Sequence, residues 1–218
     1  MDREIRVTGR GTISAVPDMI CLRITISDVG DSYEAVVKMS SAMTELVRIG
    51  LQRLDFSKED VKTEFFDVVE VYGDETDNRD ESDNDVAGYR YIHCLMVEMP
   101  FDNRRLSACM TELGKCINNP EFSVSYFVKD PEAVKDMLLA SAVSSARRKA
   151  ETLAQAAGVT LGALKSIDYS WEDWEIISDT EPVLDVPSTT DKPVRMSINV
   201  IPEEITLDDV VTVTWEIV

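Results

Sequence analysis

Residues 146–164, ARRKAETLAQAAGVTLGAL, constrain the fold more than any other stretch of this chain. They read as the end of a long amphipathic helix, a glycine stop at Gly158 and the entry to a strand. Asp130-Pro131 opens that helix, with proline at the first helical position where its missing N–H costs nothing. The helix is expected to run to about residue 157, and a strand to follow over 163–170. Ala140, Ser141, Ala142, Ser144, Ser145 and Ala146 crowd its centre. A helix so stripped of bulk can approach a sheet or another helix closely.

The rest of the chain alternates strands and helices. Residues 4–8 read as a short strand, and Gly9-Arg10-Gly11 as a bend. Residues 19–27 alternate, with Ile20, Leu22, Ile24 and Ile26 on one face and Cys21, Arg23, Thr25 and Ser27 on the other. That pattern predicts a half-buried strand. A helix follows, with Asp31 as its cap, Glu34 completing a capping box, Ala35, Met39, Ala42, Leu46 and Ile49 as its buried stripe, and Gly50 as its end. Strands are expected over 61–72 and 89–99. A shorter helix is capped by Asp102 and runs to about residue 117. Further strands fall at 121–128, 194–200 and 209–218. Strand–helix–strand at 19–72 is echoed at 89–128. The order predicts an α+β fold, a mixed or mostly antiparallel sheet with helices on one face, in a single domain over 1–218.

Two acidic stretches interrupt this pattern. Residues 74–85, DETDNRDESDND, hold seven acids and one arginine and read as a long solvated connection. A calcium loop is the sharper alternative. It fails on spacing, because Val86-Ala87 follow Asp83-Asn84-Asp85, and the glycine and final glutamate of such a loop are misplaced. Residues 172–192 are acidic and broken by Pro182 and Pro187, and are expected to be irregular at least in part.

The formal net charge is −19. That excludes nucleic acid and anionic membrane as partners, since both need a basic footprint. No apolar run reaches the roughly 20 residues that span a bilayer. The first residues, MDREIRVTGRG, hold neither an apolar core nor a cleavage site, which predicts a cytoplasmic protein. A periplasmic or secreted location follows if a leader has been removed.

Chemistry is sparse. Cys21, Cys94, Cys109 and Cys116 show no C-x-x-C spacing and read as free thiols of small buried residues. The sole histidine, His93, reads as a packed strand residue. Gly9-Arg10-Gly11 lacks the third glycine and the following helix of a dinucleotide loop. There is no phosphate-binding loop and no nucleophile elbow. Arg147, Arg148 and Lys149 suit a solvated or salt-bridged helix face better than an anion site. No catalytic residue, cofactor or metal ligand is predicted.

Several motifs, taken in order, resemble one family. They are IRVTGRGTISAVPDMICLRITIS with Pro17-Asp18, then Tyr33-Glu34-Ala35, Asp60-Val61-Lys62-Thr63 and the Gly88-Tyr89 pair. The 146–164 segment and the closing run PEEITLDDVVTVTWEIV complete the set. Together they resemble the SIMPL-domain family, which has bacterial periplasmic members and animal members associated with a pelle-like kinase. The resemblance implies an α+β domain. It also implies ring- or channel-like oligomers in some bacterial members, and roles in stress tolerance or signalling, but no catalytic residues to carry over. Many bacterial members have a secretion signal, and the acidic stretches at 74–85 and 172–185 depart from the family pattern. Pro17, Asp18, Gly88, Tyr89 and Gly158 are its structural motif residues here. Each has a local reason: a turn before a strand, a bend after the acidic stretch, and a left-handed helix cap.

Three functions follow as expectations. The first is a non-enzymatic, self-associating or protein-interaction module that pairs through strand edges or helix faces, with a homo-oligomer as its state. The second is a small-ligand-binding module, with an apolar pocket between sheet and long helix near 140–146. The third is a thiol-based antioxidant acting through Cys21, which lies on the more polar face of its strand two residues from Arg23.

Overall fold

The computed structural model describes residues 3–72, 86–116, 120–170, 176–180 and 199–218. The acidic stretch at 74–85 and the strand expected at 194–200 fall outside these residues, save 199–200, which are not in a strand. So does most of the irregular stretch at 172–192. Two sheets form instead of the one expected, both antiparallel, and with the three helices they make an α+β fold. The described residues divide into two compact units.

The first unit contains β1 (Glu4–Ala15), α3 (Pro131–Ala156), β6 (Leu161–Asp168) and β7 (Ile205–Ile217). Its sheet has the order β1-β7-β6. β1 and β7 pair without interruption from Glu4↔Glu216 to Ala15↔Ile205. β7 therefore begins four residues before the start at 209 that its alternation predicts. The outer face of this pair is polar: Thr8 meets Thr212 at 3.1 Å, and Arg10 meets Asp208 at 2.8 Å.

The inner face carries α3, whose buried residues are Val134, Leu138, Ala142, Ala146, Ala150 and Ala154, one every four positions. Ala142, Ala146 and Ala150 of that ridge pack with Val7, Val211, Val213 and Trp215, and Val134 and Leu138 with Ile205 and Leu207. Gly9 and Gly11 are not a bend but interior residues of β1, and they set the spacing of the two layers. A Cβ on Gly9 would collide with the Ala142 carbonyl oxygen, and one on Gly11 would lie 2.5 Å from the Leu138 carbonyl oxygen. Real Cβ atoms do not come so close to backbone, so only glycine fits beneath this helix. α3 starts at Asp130, whose side chain accepts from the Ala133 N–H. It ends with Gly158 at φ +70°. The Gly158 N–H donates to Gln155 and the Val159 N–H to Ala154, so both orphan carbonyls are satisfied in a Schellman arrangement.

The second unit contains β2 (Met19–Gly30), α1 (Tyr33–Gln52), β3 (Lys62–Tyr72), β4 (Val86–Pro100), α2 (Asn103–Cys116) and β5 (Glu121–Phe127), the last of which crosses the boundary between units at Tyr126. Its strand order is β3-β4-β2-β5. This is a split β-α-β arrangement: each strand–helix–strand half spans one strand of the other, which explains the internal echo in the sequence. Both helices belong to one layer, with α1 packed on β2 and β4 and against α2.

Three expectations for α1 are corrected. Its cap is Ser32, not Asp31, because the Ser32 hydroxyl accepts from the Ala35 N–H at 3.2 Å. It runs through a buried Gly50 to Gln52, since Gly50 is where Leu113 and Cys116 of α2 approach. Its buried stripe is Val36, Ser40, Thr44, Val47 and Leu51, while Leu46 and Ile49 are exposed. The polar Ser40 and Thr44 face inward because His93 waits there. α2 begins as expected at Asp102, whose carboxylate accepts from the backbone N–H groups of Arg104 and Arg105.

Candidate functional site

β3 is one free edge of the four-stranded sheet, with β5 at the other side: among the described residues β3 pairs with β4 alone. Nine of its eleven residues are exposed, and only Val68 and Val71 are half-buried. The exposed set includes Phe65, Phe66, Val69 and Tyr72. Strands that have found their final partners seldom show such residues to water, because unpaired N–H and C=O groups beside apolar side chains invite another chain. The local cause is visible in the sequence. The consecutive Phe65-Phe66 breaks strict alternation, and the register with β4 slips between Thr63 and Phe65 and again between Val71 and Tyr72. The stretch 65–71 between the two slips is regular.

Behind β3, on the sheet face away from the helices, lies a polar cluster. Arg23 Nε donates to both oxygens of Glu64, at 3.0 and 2.8 Å, and Nη1 donates to Ser125 Oγ at 2.9 Å. The Cys94 thiol also donates to Glu64. The guanidinium holds the Glu64 carboxyl below the usual carboxylate range. Cys21 sits at the edge of this cluster. Burial, more than any charge, pushes its thiol up, despite Arg23. Cys94 is likewise raised by burial, and Cys109 is pushed up to about 11. A nucleophilic or peroxide-reducing thiol needs the opposite combination, exposure and a depressed pKa.

On the helix side, His93 is buried in a network of hydroxyls. Nδ1 lies 2.9 Å from Ser40 Oγ and 3.2 Å from Thr44 Oγ1, and Nε2 lies 3.0 Å from Thr63 Oγ1. The Thr44 hydroxyl gives its proton to the Ser40 carbonyl. All three contacts are therefore satisfied when Nδ1 carries the ring proton and Nε2 accepts from Thr63, an assignment made from the network. The Phe66 ring meets the imidazole edge-on at 5.1 Å. Burial, and then Arg48, lower the His93 pKa, so the ring is neutral at pH 7. His93 thus ties α1 to β4 and to the free edge strand.

The motif residues are scattered, each serving its own junction. Pro17, in the link that follows β1, is buried, and the Asp18 carboxylate accepts from the Lys129 N–H at 2.7 Å. Gly88 passes beneath the Gly30 carbonyl oxygen, which a Cβ there would meet at 2.9 Å. Tyr89 stacks edge-on against Tyr33 at 6.3 Å. Gly158 closes α3. Pro17, Asp18 and Gly158 belong to the first unit, Gly88 and Tyr89 to the second. The ligand pocket expected near 140–146 has no room, because α3 lies on the Gly9 and Gly11 backbone. Arg147 pairs with Glu151, and Lys149 donates to the Thr8 carbonyl. The spacing of residues in the sequence does not announce the Arg23–Glu64–Ser125 cluster, and barely announces the uncovered edge. The Phe65-Phe66 doublet was the one signal that pointed to the latter.

These features define an α+β protein of two units, each built on an antiparallel sheet, with no metal-holding cluster among the described residues. Residues 5–215 match the family profile of SIMPL, described as "Protein of unknown function (DUF541)", and the chain belongs to that family. It is 28% identical over 168 residues to a 26 kDa periplasmic immunogenic protein of Brucella abortus, covering 75% of this chain and 65% of the relative. The protein of the same name from Brucella melitensis is 27% identical over equal coverage. The chain thus spans about two thirds of the length of these relatives, 65% in each case. The uncharacterized protein YggE of Edwardsiella ictaluri is 24% identical, over 85% of this chain and 75% of that protein.

Proposed function

We propose that this protein is a non-enzymatic interaction module that works by associating with itself. One observation carries the reading: β3, an edge strand exposed on both faces and lined with large apolar side chains. An isolated monomer gains nothing from such an edge and risks uncontrolled aggregation, whereas an assembly buries it. The absence of any recognisable catalytic motif in the sequence agrees with this role. The thiol alternative has less support, because Cys21 is buried and its thiol is raised. The names of the Brucella relatives favour a periplasmic location over the cytoplasmic one expected from the first residues.

Light scattering coupled to size exclusion, at several concentrations with and without calcium, tests the reading. A discrete multiple of the 24.4 kDa chain supports it. A single chain mass at every concentration overturns it. A mass that changes only with calcium would return attention to the acidic residues at 74–85.

A further inference from the structure

The occupant of the β3 edge is written in β3 itself. We propose that two copies pair through β3 in antiparallel orientation, about a two-fold axis passing beside Val68. This rests on the self-association reading and names its interface.

Side chains at Phe65, Asp67, Val69 and Val71 share the open face, because they lie opposite Cys94, Ile92, Arg90 and Gly88 of β4. Phe66, Val68 and Glu70 share the helix side, opposite His93, Tyr91 and Tyr89. Residues directly opposite across an antiparallel pair point to the same face. A symmetric pairing must therefore centre on a single residue of the regular stretch. Centring on Asp67 sets two aspartates against each other, which is destabilising. Centring on Phe66 shortens the overlap and runs into the slip between Thr63 and Phe65.

Centring on Val68 uses the whole stretch from 65 to 71. Phe65 then faces Val71 of the second copy, an aromatic against a β-branched residue. Asp67 faces Val69, Phe66 faces Glu70, and Val68 faces Val68. No like charges oppose each other. The two register slips fall just outside the paired stretch at either end, so the irregularities that β4 imposes bracket the surface and do not interrupt it. The product is an eight-stranded sheet continuous through both copies, and the exposed Phe65 and Val69 gain neighbours across the junction.

Cysteine cross-linking reads the register directly. Opposed strand residues have Cα atoms about 4.5–5.5 Å apart, within disulfide reach. Val68→Cys should form a covalent dimer under mild oxidation where the wild-type chain, with its native cysteines, stays monomeric on a non-reducing gel. Asp67→Cys and Val69→Cys should each cross-link poorly alone and readily when mixed. Separately, Phe65→Lys with Val69→Lys should weaken self-association at least tenfold while leaving the circular dichroism spectrum and melting curve close to wild type. Both lysines replace exposed residues, so the monomer survives them.

Oligomers that persist in the double-lysine variant, with Val68→Cys uncoupled, overturn the β3 interface and leave self-association standing. Preferential cross-linking of Asp67→Cys alone overturns the register. A wild-type chain that is monomeric throughout removes both.

Discussion

At the scale of the residue, burial holds both His93 and Cys21 in their uncharged forms. His93 is the chain's one histidine and is held neutral by burial. Its folded pKa lies below the unfolded value of about 6.5, so between the two values the unfolded chain binds more protons and stability rises with pH. The contribution is complete above about pH 6.5 and is lost as pH falls toward the folded value. Urea midpoints should therefore drop from about pH 7.5 to about pH 5.5, and His93→Gln should flatten that slope. A slope unchanged by the substitution would assign the pH dependence to the carboxylates. Cys21 is buried with its thiol raised, so its alkylation by iodoacetamide in the folded protein should be at least tenfold slower than in urea. Mass spectrometry of the tryptic peptides reads this, and rapid native labelling would revive the antioxidant alternative.

At the scale of the element, the contact of α3 with β1 is the tightest feature of the first unit. Gly9→Ala or Gly11→Ala must push the helix off the sheet, since the obstructing atoms are backbone carbonyls with no rotamer to yield. Each should cost about 1–3 kcal/mol or more, as overpacking does, and the pair should prevent folding of this unit. Chemical denaturation measures it, and a loss under about 0.5 kcal/mol would contradict the packing described. The sequence signals for this contact were present but divided. Small residues along 140–146 announced a close approach, yet Gly9 and Gly11 read as a bend, because glycine punctuates chains more often than it thins a strand. The same logic explains α1. A stripe chosen by hydrophobicity picks Leu46 and Ile49, whereas the buried stripe includes Ser40 and Thr44, whose partner is a histidine 49–53 residues away. The alternation of β2 and β7, the proline start of α3 and the turn at Gly158 were legible because their causes are local. The free edge was not, since the Phe65-Phe66 doublet, its one signal within β3, does not state that only one neighbour lies beside the strand.

At the scale of the whole molecule, net charge opposes the proposed assembly. Copies carrying −19 repel one another at low ionic strength. Raising salt from about 0.1 M to about 1 M shortens the screening length from about 10 Å to about 3 Å and should tighten self-association on the order of tenfold. Sedimentation velocity across that range reads the effect. Weakening by salt would point to an interface of opposite charges in place of the apolar edge.

The continuous β1–β7 pairing has a further consequence, for the order in which the chain is made. β1 leaves the ribosome before every strand and helix of the second unit, and its partner β7 only after them. The inner face of β1, open at Gly9 and Gly11, must wait through the synthesis of every strand and helix of the second unit for its neighbour to arrive. Every described strand and helix of the second unit precedes β7, so that unit can close first, while the first stays incomplete until β7 arrives. In the interval β1 is an unpaired strand on a tethered chain, the state in which a chaperone would find it.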